Sequence, residues 1–530
     1  MDAELVSVNL VADLPLFALI CYDKVMPTFL SHRGHPIASL LLAMTFLLPR
    51  LGLSQAEQPA EPSALQAAAA IEATVIDAIA KTEKSVVAIS RLRKDRDKEA
   101  GEPLENDVPL IPDPSGEGDV LRPDFVPHSF GTGVVVDAKG LILTAYHVLG
   151  DIKASDYVVW IQKKPYKATV RAADPWLDVA ILKIDADDLK PMPLGNAKEL
   201  KKGQIVISLG NPYAIARDGE PSATWGIVSN LSRLAPAPKQ PARPAEGRET
   251  LHHYGTLIQT DAKLELGTSG GALINLKGEM VGLTTSLAAL VGYEKAGGFA
   301  IPIDEEFKKA LEQLKVGRMP EYGFLGVAPT LLSMEQRQQG KRGARIMDVI
   351  LATPAAKAGI KAEDIITHID GQAIADDLEL IRRLSAMPAG SSVNLTVLRG
   401  SGPSQPGKAH VAKVVLSKKR VEGPRAPFAE VVDGPWRGMS VEYATAAPNF
   451  RDQSRDLDPE GSVAVIAVAR DSAAWKAGLR PGDFVSHVGK SRVASPQQFY
   501  TAVTPEQGPV ALHLTASPPG KSLRSVPAEN

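Results

Sequence analysis

Residues 258–285, IQTDAKLELGTSGGALINLKGEMVGLTT, decide how the chain is read. At their centre lies Gly267-Thr268-Ser269-Gly270-Gly271. A serine among glycines suits a tight turn, because glycine takes positive φ freely and serine caps cheaply. The pattern also suits a nucleophile. Small neighbours let a substrate backbone come close, and their amides can face the oxyanion formed when the hydroxyl attacks a carbonyl. The pentapeptide alone does not separate the two readings.

Its flanks do. The string fits G-x-S-x-G, the strand-to-helix elbow of α/β-hydrolases, whose triads run Ser, acid, His. Here Ser269 is followed by ALINLKGEMVGLTT, which reads as strand, Lys-Gly turn, strand. The best histidine and aspartate both precede the serine, giving the order His, Asp, Ser of chymotrypsin-like enzymes.

Upstream, FGTGVVVDAKGLILTAYHVLGD forms a hairpin turning at Asp137-Ala138-Lys139-Gly140 and running into His147. A histidine at a strand end is usually structural. DPWLDVAILKID sets Asp178 at the start of an apolar strand, where it either caps the strand entry or, if buried, needs a partner such as an imidazole. QIVISLGNPY and ATWGIVSNLSR add further short strands, and many such strands with little helix predict a β-barrel or sandwich.

Together these stretches resemble the trypsin-like serine proteases of the HtrA/Deg family across most of 80–304. The carrying residues are LTAYHV around His147, DVAILKI around Asp178, SLGNPY, GIVSNLSR, IQTDA, GTSGG and GFAIPID. The resemblance implies a mainly β chain: a chymotrypsin-like double β-barrel with the triad in the cleft between its barrels. It implies Ser269 as nucleophile, His147 as general base then acid, and Asp178 as orienter of the imidazole. The amides of Gly267 and Ser269 would form the oxyanion hole. The family usually has Asn where Thr268 stands and Pro where Ala272 stands. Thr268 is β-branched and narrows the loop's φ/ψ choice, in a loop that the family switches between inactive and active forms. Lys263 stands six residues before Ser269, where trypsin has its S1 aspartate, so cleavage after Lys or Arg is not expected. Leu264 and Leu266 fit an apolar S1 pocket for small aliphatic residues, or simply the core. Residues 235–249 are a Pro-rich insertion that reads as a loop near the cleft.

The carboxyl half repeats itself. TPAAKAGIKAEDIITHIDGQAI (353–374) matches DSAAWKAGLRPGDFVSHVGKSRV (471–493), with Gly359 and Asp364 echoed by Gly478 and Asp483. Both copies resemble the circularly permuted PDZ domains of HtrA proteins, α+β modules that bind extended peptides by strand addition. In the first, Tyr322-Gly323-Phe324-Leu325-Gly326-Val327 looks like the carboxylate-binding loop, with Phe324 to Val327 as peptide contacts. In the second, Gly438-Met439-Ser440-Val441 is the matching run, with Ser440 replacing the loop glycine, so the second copy is read as architectural.

The domain plan is then a targeting segment (1–56), a helix and linker (57–82) and the protease (83–304). A connecting helix (305–320), PDZ domain 1 (321–418), a linker (419–435), PDZ domain 2 (436–516) and a disordered tail (517–530) follow. Within that plan, Ser63 caps an alanine-rich amphipathic helix and residues 93–128 read as an exposed loop. From Met26, read as the start, a basic stretch, the apolar run Ile37 to Leu48 and small residues before Glu57 make a secretory signal. If it is not cut, the apolar run becomes a membrane tether. Cys21 is the only cysteine, no histidine pair has metal spacing, and the net charge is −2. No metal, cofactor or nucleic-acid partner is expected. His252 and His253 read as solvated loop residues.

The expected function is that of a periplasmic or otherwise exported, ATP-independent endopeptidase of protein quality control. It would take unfolded proteins as substrates and C-terminal or extended peptides at PDZ domain 1, and assemble as a homotrimer or larger. The second reading, motivated by Thr268 and Ala272, is a chaperone or peptide-binding scaffold with weak or lost proteolysis.

Overall fold

The computed structural model describes residues 63–94, 129–211, 220–235, 250–285, 298–400, 407–421, 435–515 and 522–528. The targeting segment, most of the loop read at 93–128 and all of the Pro-rich insertion but Ala235 lie outside the described residues.

Helix α1 (Ala64–Thr82) starts where Ser63 and Gln66 exchange side-chain to amide hydrogen bonds, a capping box that satisfies two otherwise orphaned donors. Two closed six-strand barrels follow. The first comprises β1 (Val86–Arg93), β2 (Ser129–Asp137), β3 (Leu141–Ala145), β4 (Ser155–Ile161), β5 (Lys164–Asp174) and β6 (Val179–Ile184). The second comprises β7 (Ile205–Gly210), β8 (Ser222–Arg233), β9 (Leu257–Thr260), β10 (Ala272–Ile274), β11 (Met280–Thr285) and β12 (Gly298–Pro302).

The period-2 alternation of a strand explains the apolar runs. In the first barrel Val135, Ile142, Ala180 and Leu182 fill a core of their own. Their neighbours Val134, Leu143, Val179 and Ile181 join Ile207, Leu209 and Leu283 of the second barrel in a shared core. Both faces of these strands are therefore dry, and VAILKI shows no polar face. Helix α2 (Glu305–Lys315), capped by Asp304, buries Phe307, Ala310, Leu311 and Leu314 in that shared core. Arg171 closes its far end by donating to the carbonyls of Lys315 and Val316.

The repeat is real in three dimensions. Its first copy holds β13 (Gly323–Phe324), β14 (Val327–Leu331), α3 (Met334–Gln338), β15 (Ala344–Val349), α4 (Pro354–Lys357), β16 (Ile365–Ile369), β17 (Gln372–Ala373), α5 (Asp377–Ser385), β18 (Ser392–Arg399), β19 (Lys408–Val415) and β20 (Ser417–Lys418). The second holds β21 (Met439–Tyr443), α6 (Phe450–Gln453), β22 (Val463–Val468), α7 (Ala473–Lys476), β23 (Phe484–Val488), β24 (Ser491–Arg492), α8 (Pro496–Val503), β25 (Val510–Thr515) and β26 (Leu523–Val526). Strand order is β14-β15-β16-β18-β19 in one and β21-β22-β23-β25-β26 in the other. The echoed Asp364 and Asp483 each accept the amide three residues upstream and fix the same turn.

Two expectations are corrected here. The tail is not disordered throughout: β26 pairs with β25 and buries Val526 completely. Arg437 fastens it by donating to the carbonyls of Val526 and Pro527, a long-range contact that composition does not reveal. The loop glycine of the second copy is also retained. Ile350 donates its amide to Gly326 as Ala469 does to Gly438, so Gly438, not Ser440, is the counterpart. Both glycines have positive φ, 90° and 80°, and an added Cβ would strike Thr353 or Ser472. The register shift moves Arg437 onto the position of Leu325.

Lys418 joins the copies. Its ammonium lies 2.8 Å from Glu321 Oε1 and 2.7 Å from Glu442 Oε2, while Thr445 donates to its carbonyl.

Candidate active site

His147 stands in the short helical turn after β3, and Asp178 at the mouth of β6. Asp178 takes φ 56°, a left-handed conformation unusual for a residue with a Cβ. That bend turns its carboxylate onto His147: Oδ1 accepts the His147 amide at 3.0 Å and Oδ2 accepts Nδ1–H at 2.8 Å. The proton on Nδ1 leaves Nε2 as the basic nitrogen. Nε2 is buried and has no hydrogen-bond partner among the described residues. Burial pulls the His147 pKa down, but the charge and hydrogen bond of Asp178 outweigh it and hold it above 6.5.

The glycine-serine loop is strapped down from two sides. Thr132 of β2 donates Oγ1 to the Gly267 carbonyl at 2.7 Å, and its amide reaches the Ser269 carbonyl at 2.9 Å. Thr284 of β11 donates to the Thr268 carbonyl at 2.5 Å and its own carbonyl accepts the Gly270 amide at 2.8 Å. Gly270, with φ 84°, lies so close to β3 that a Cβ would stand 2.4 Å from Thr144 Oγ1 and 3.0 Å from the Ala145 amide. This brings Ser269 to the strand end that carries His147. Gly267 has φ 97°, and a Cβ there would meet the Asn211 carbonyl at 2.6 Å. Thr268 needs no positive φ, and its hydroxyl and amide both bond the Glu265 carbonyl.

Of the two pocket candidates, Leu264 is half-buried and packs onto Gly298, whereas Leu266 is 48% exposed. Lys263 is exposed beside Glu265. Phe324, Leu325, Gly326 and Val327 lie together in the first repeat, spanning β13 and the start of β14.

Several residues of the site escaped the sequence reading. His252 is fully buried, not solvated: Nε2–H donates to the Leu177 carbonyl at 2.9 Å and Nδ1 accepts from Thr256 Oγ1 at 2.7 Å. Burial holds its pKa below 6.5 and the ring neutral, against the pull of the Leu177 carbonyl and Asp178. Asp174 is also fully buried, and accepts the amides of Trp176 and Leu177 at Oδ1 and the Tyr322 hydroxyl at Oδ2. The turn that carries Asp178 is thus held by its own barrel, by the second barrel and by the first repeat. No local pattern announces such long-range partners, and the adjacency of His252 and His253 pointed the wrong way.

Residues 131–283 match the trypsin-like peptidase domain and residues 323–405 the PDZ domain. The chain is similar to a probable periplasmic DegP-like serine endoprotease of Pseudomonas fluorescens, 31% identical over 377 residues, covering 70% of this chain and 73% of the relative. A second, from Halomonas elongata, is 30% identical and covers 79% and 81%. Among solved structures, the HtrA-type protease AlgW with a tripeptide aligns at 23% identity and a TM-score of 0.48, covering 65% of this chain and 97% of that one. With a chymotrypsin-like double barrel followed by PDZ domains, the chain belongs to the DegP-like serine endoproteases and is a serine-type endopeptidase.

Proposed function

We propose that the chain is an exported, ATP-independent endopeptidase of protein quality control, cutting unfolded or misfolded proteins. Ser269 Oγ attacks the scissile carbonyl while His147 Nε2 takes its proton, and His147 returns that proton to the leaving amine. Asp178 holds the imidazole in the productive tautomer and balances its charge. The amides of Gly267 and Ser269 stabilise the oxyanion. Water then attacks the acyl-enzyme by the same route in reverse. The observation that supports this most is the two-point contact of Asp178 with His147, which fixes the ring and leaves Nε2 as its base.

Leu264 over Gly298 supports a shallow pocket for Val, Ala or Ile. The first repeat captures C-termini or extended segments of the substrate. Names of the relatives place them in the periplasm, and the signal pattern from Met26 agrees. Assembly as a homotrimer or larger follows from the family resemblance.

The test is cleavage of casein by the chain and by its Ser269→Ala variant. Cleavage by the first alone supports the triad. If neither cuts, even with C-terminal peptides added, the scaffold reading takes over.

A further inference from the structure

In a PDZ groove the ligand lies along an edge strand, and that strand's outward amides and carbonyls supply the ladder. In the first repeat this strand is β14, paired with β15 on one side and lined by α5 on the other. Which of its groups face the groove can be read from β15. Ile346 sits opposite Pro329, yet its amide donates to the Asp364 carbonyl at 2.8 Å and its carbonyl accepts the Glu363 amide at 2.8 Å. Both backbone groups of Ile346 point away from β14. Pro329 is therefore in a non-hydrogen-bonded pair, and its nitrogen and carbonyl face the groove. That nitrogen carries no proton.

The second repeat supplies an internal control for this geometry. Val441 lies opposite Val465, whose amide and carbonyl are likewise taken by Asp483 and Gly482. Its amide does face the groove, and there it donates to the hydroxyl of Tyr500 from α8 at 3.4 Å. The same position is a capped amide in one copy and a missing donor in the other.

We infer that Pro329 restricts the first repeat to reading the terminal carboxylate and last residue of its ligand. A chain end placed at Gly326 and Val327 brings its third residue from the end opposite Pro329. The Pro329 carbonyl accepts that residue's amide, but the residue's own carbonyl meets no donor. The ladder stops there, and upstream residues add little. Such a site takes many C-termini of different sequence, provided the last residue is apolar. Tyr500 meanwhile keeps the second groove's donor occupied. This rests on the reading that the first repeat captures C-termini.

The test is fluorescence anisotropy with the full chain carrying Ser269→Ala, using a tripeptide and a decapeptide with the same apolar C-terminal residue. Their Kd values should agree within about threefold, and Pro329→Ala, which returns a donor to the third-residue carbonyl that both peptides carry, should tighten both by about three- to tenfold. A decapeptide with a thioamide, a weaker acceptor, at the third residue from the end should bind the Pro329 form unchanged, which checks the point without a protein variant. If the decapeptide already binds the Pro329 form tenfold more tightly and the thioamide weakens it, the inference fails while capture stands. If the decapeptide binds no better than its C-terminally amidated form, capture itself fails.

Discussion

Tyr322, at the entry to the first repeat, donates its hydroxyl to the buried carboxylate of Asp174, four residues ahead of Asp178. Burial pushes Asp174 up to about 6, against the Tyr322 hydroxyl and the amides of Leu177 and Trp176, and with a further push from Asp178. An unfolded aspartate titrates near 3.9, roughly two units lower. The folded chain thus holds this proton more tightly. The contribution to stability is complete below about pH 4 and is lost as pH rises through about 6. Thermal unfolding of Asp174→Asn should lack that fall between pH 4 and 7. Tyr322→Phe should cost about 1–3 kcal/mol at pH 7.5 and less at pH 5, where the carboxyl carries its own proton.

For His147, the base must be neutral, so kcat/KM should decline as pH falls through a pKa above 6.5. Asp178→Asn should reduce kcat by about four orders of magnitude and move that limb to lower pH, because the counter-charge is gone. A pH–rate profile of peptide cleavage reads both. An unmoved limb would remove His147 from the role of base.

Thr132 accepts the Asn211 amide at 2.7 Å while donating to Gly267, so Thr132→Val strands a buried donor and a buried acceptor at once. The expected losses are about 1–3 kcal/mol of stability and about a hundredfold in kcat, through misplacement of the oxyanion amide. Thr132→Ser keeps the hydroxyl and should restore most of both. Unfolding curves and initial rates separate the two effects.

Leu264 closes on Gly298 with its side chain. Leu264→Ala should therefore admit larger residues at P1, shifting relative rates by roughly 10- to 100-fold for an added group the size of a methylene or two. Mass spectrometry of casein fragments gives the P1 distribution directly. An unchanged distribution would place Leu264 in the core rather than the pocket.

Much of this was legible because it is local. The order His147, Asp178, Ser269 excluded the hydrolase elbow, and the strand-turn-strand after Gly271 is where β10 and β11 run. What stayed hidden is what folding brings together. Thr132 and Thr284 look like ordinary strand threonines until their hydroxyls meet the glycine loop. Asp174 looks like a turn residue before proline until Tyr322 arrives from 148 residues away. Matching Gly438-Met439-Ser440-Val441 to the loop by local pattern puts Ser440 at the Gly326 position, two residues beyond the true counterpart Gly438, because the two copies differ in length between loop and helix. The carbonyl that each glycine offers its neighbouring strand is what identifies it.

Lys418 carries a mechanical consequence. Burial works against its charge, but Glu442 and Glu321 on either side hold its pKa above 10.5, so the ammonium persists through the physiological range. That cation is one of several ties between the repeats: the hydroxyls of Ser417 and Thr445 meet at 2.6 Å, Lys357 reaches Glu460 at 3.3 Å, and Ile350 packs against the cluster around Phe450 and Phe484. Tied at several points, the sister follows any swing of the ligand-reading copy. Acetylation of Lys418, or Lys418→Gln, would leave Glu321 and Glu442 facing each other without the charge between them and so loosen this tie, while the Ser417–Thr445 and Lys357–Glu460 contacts remain.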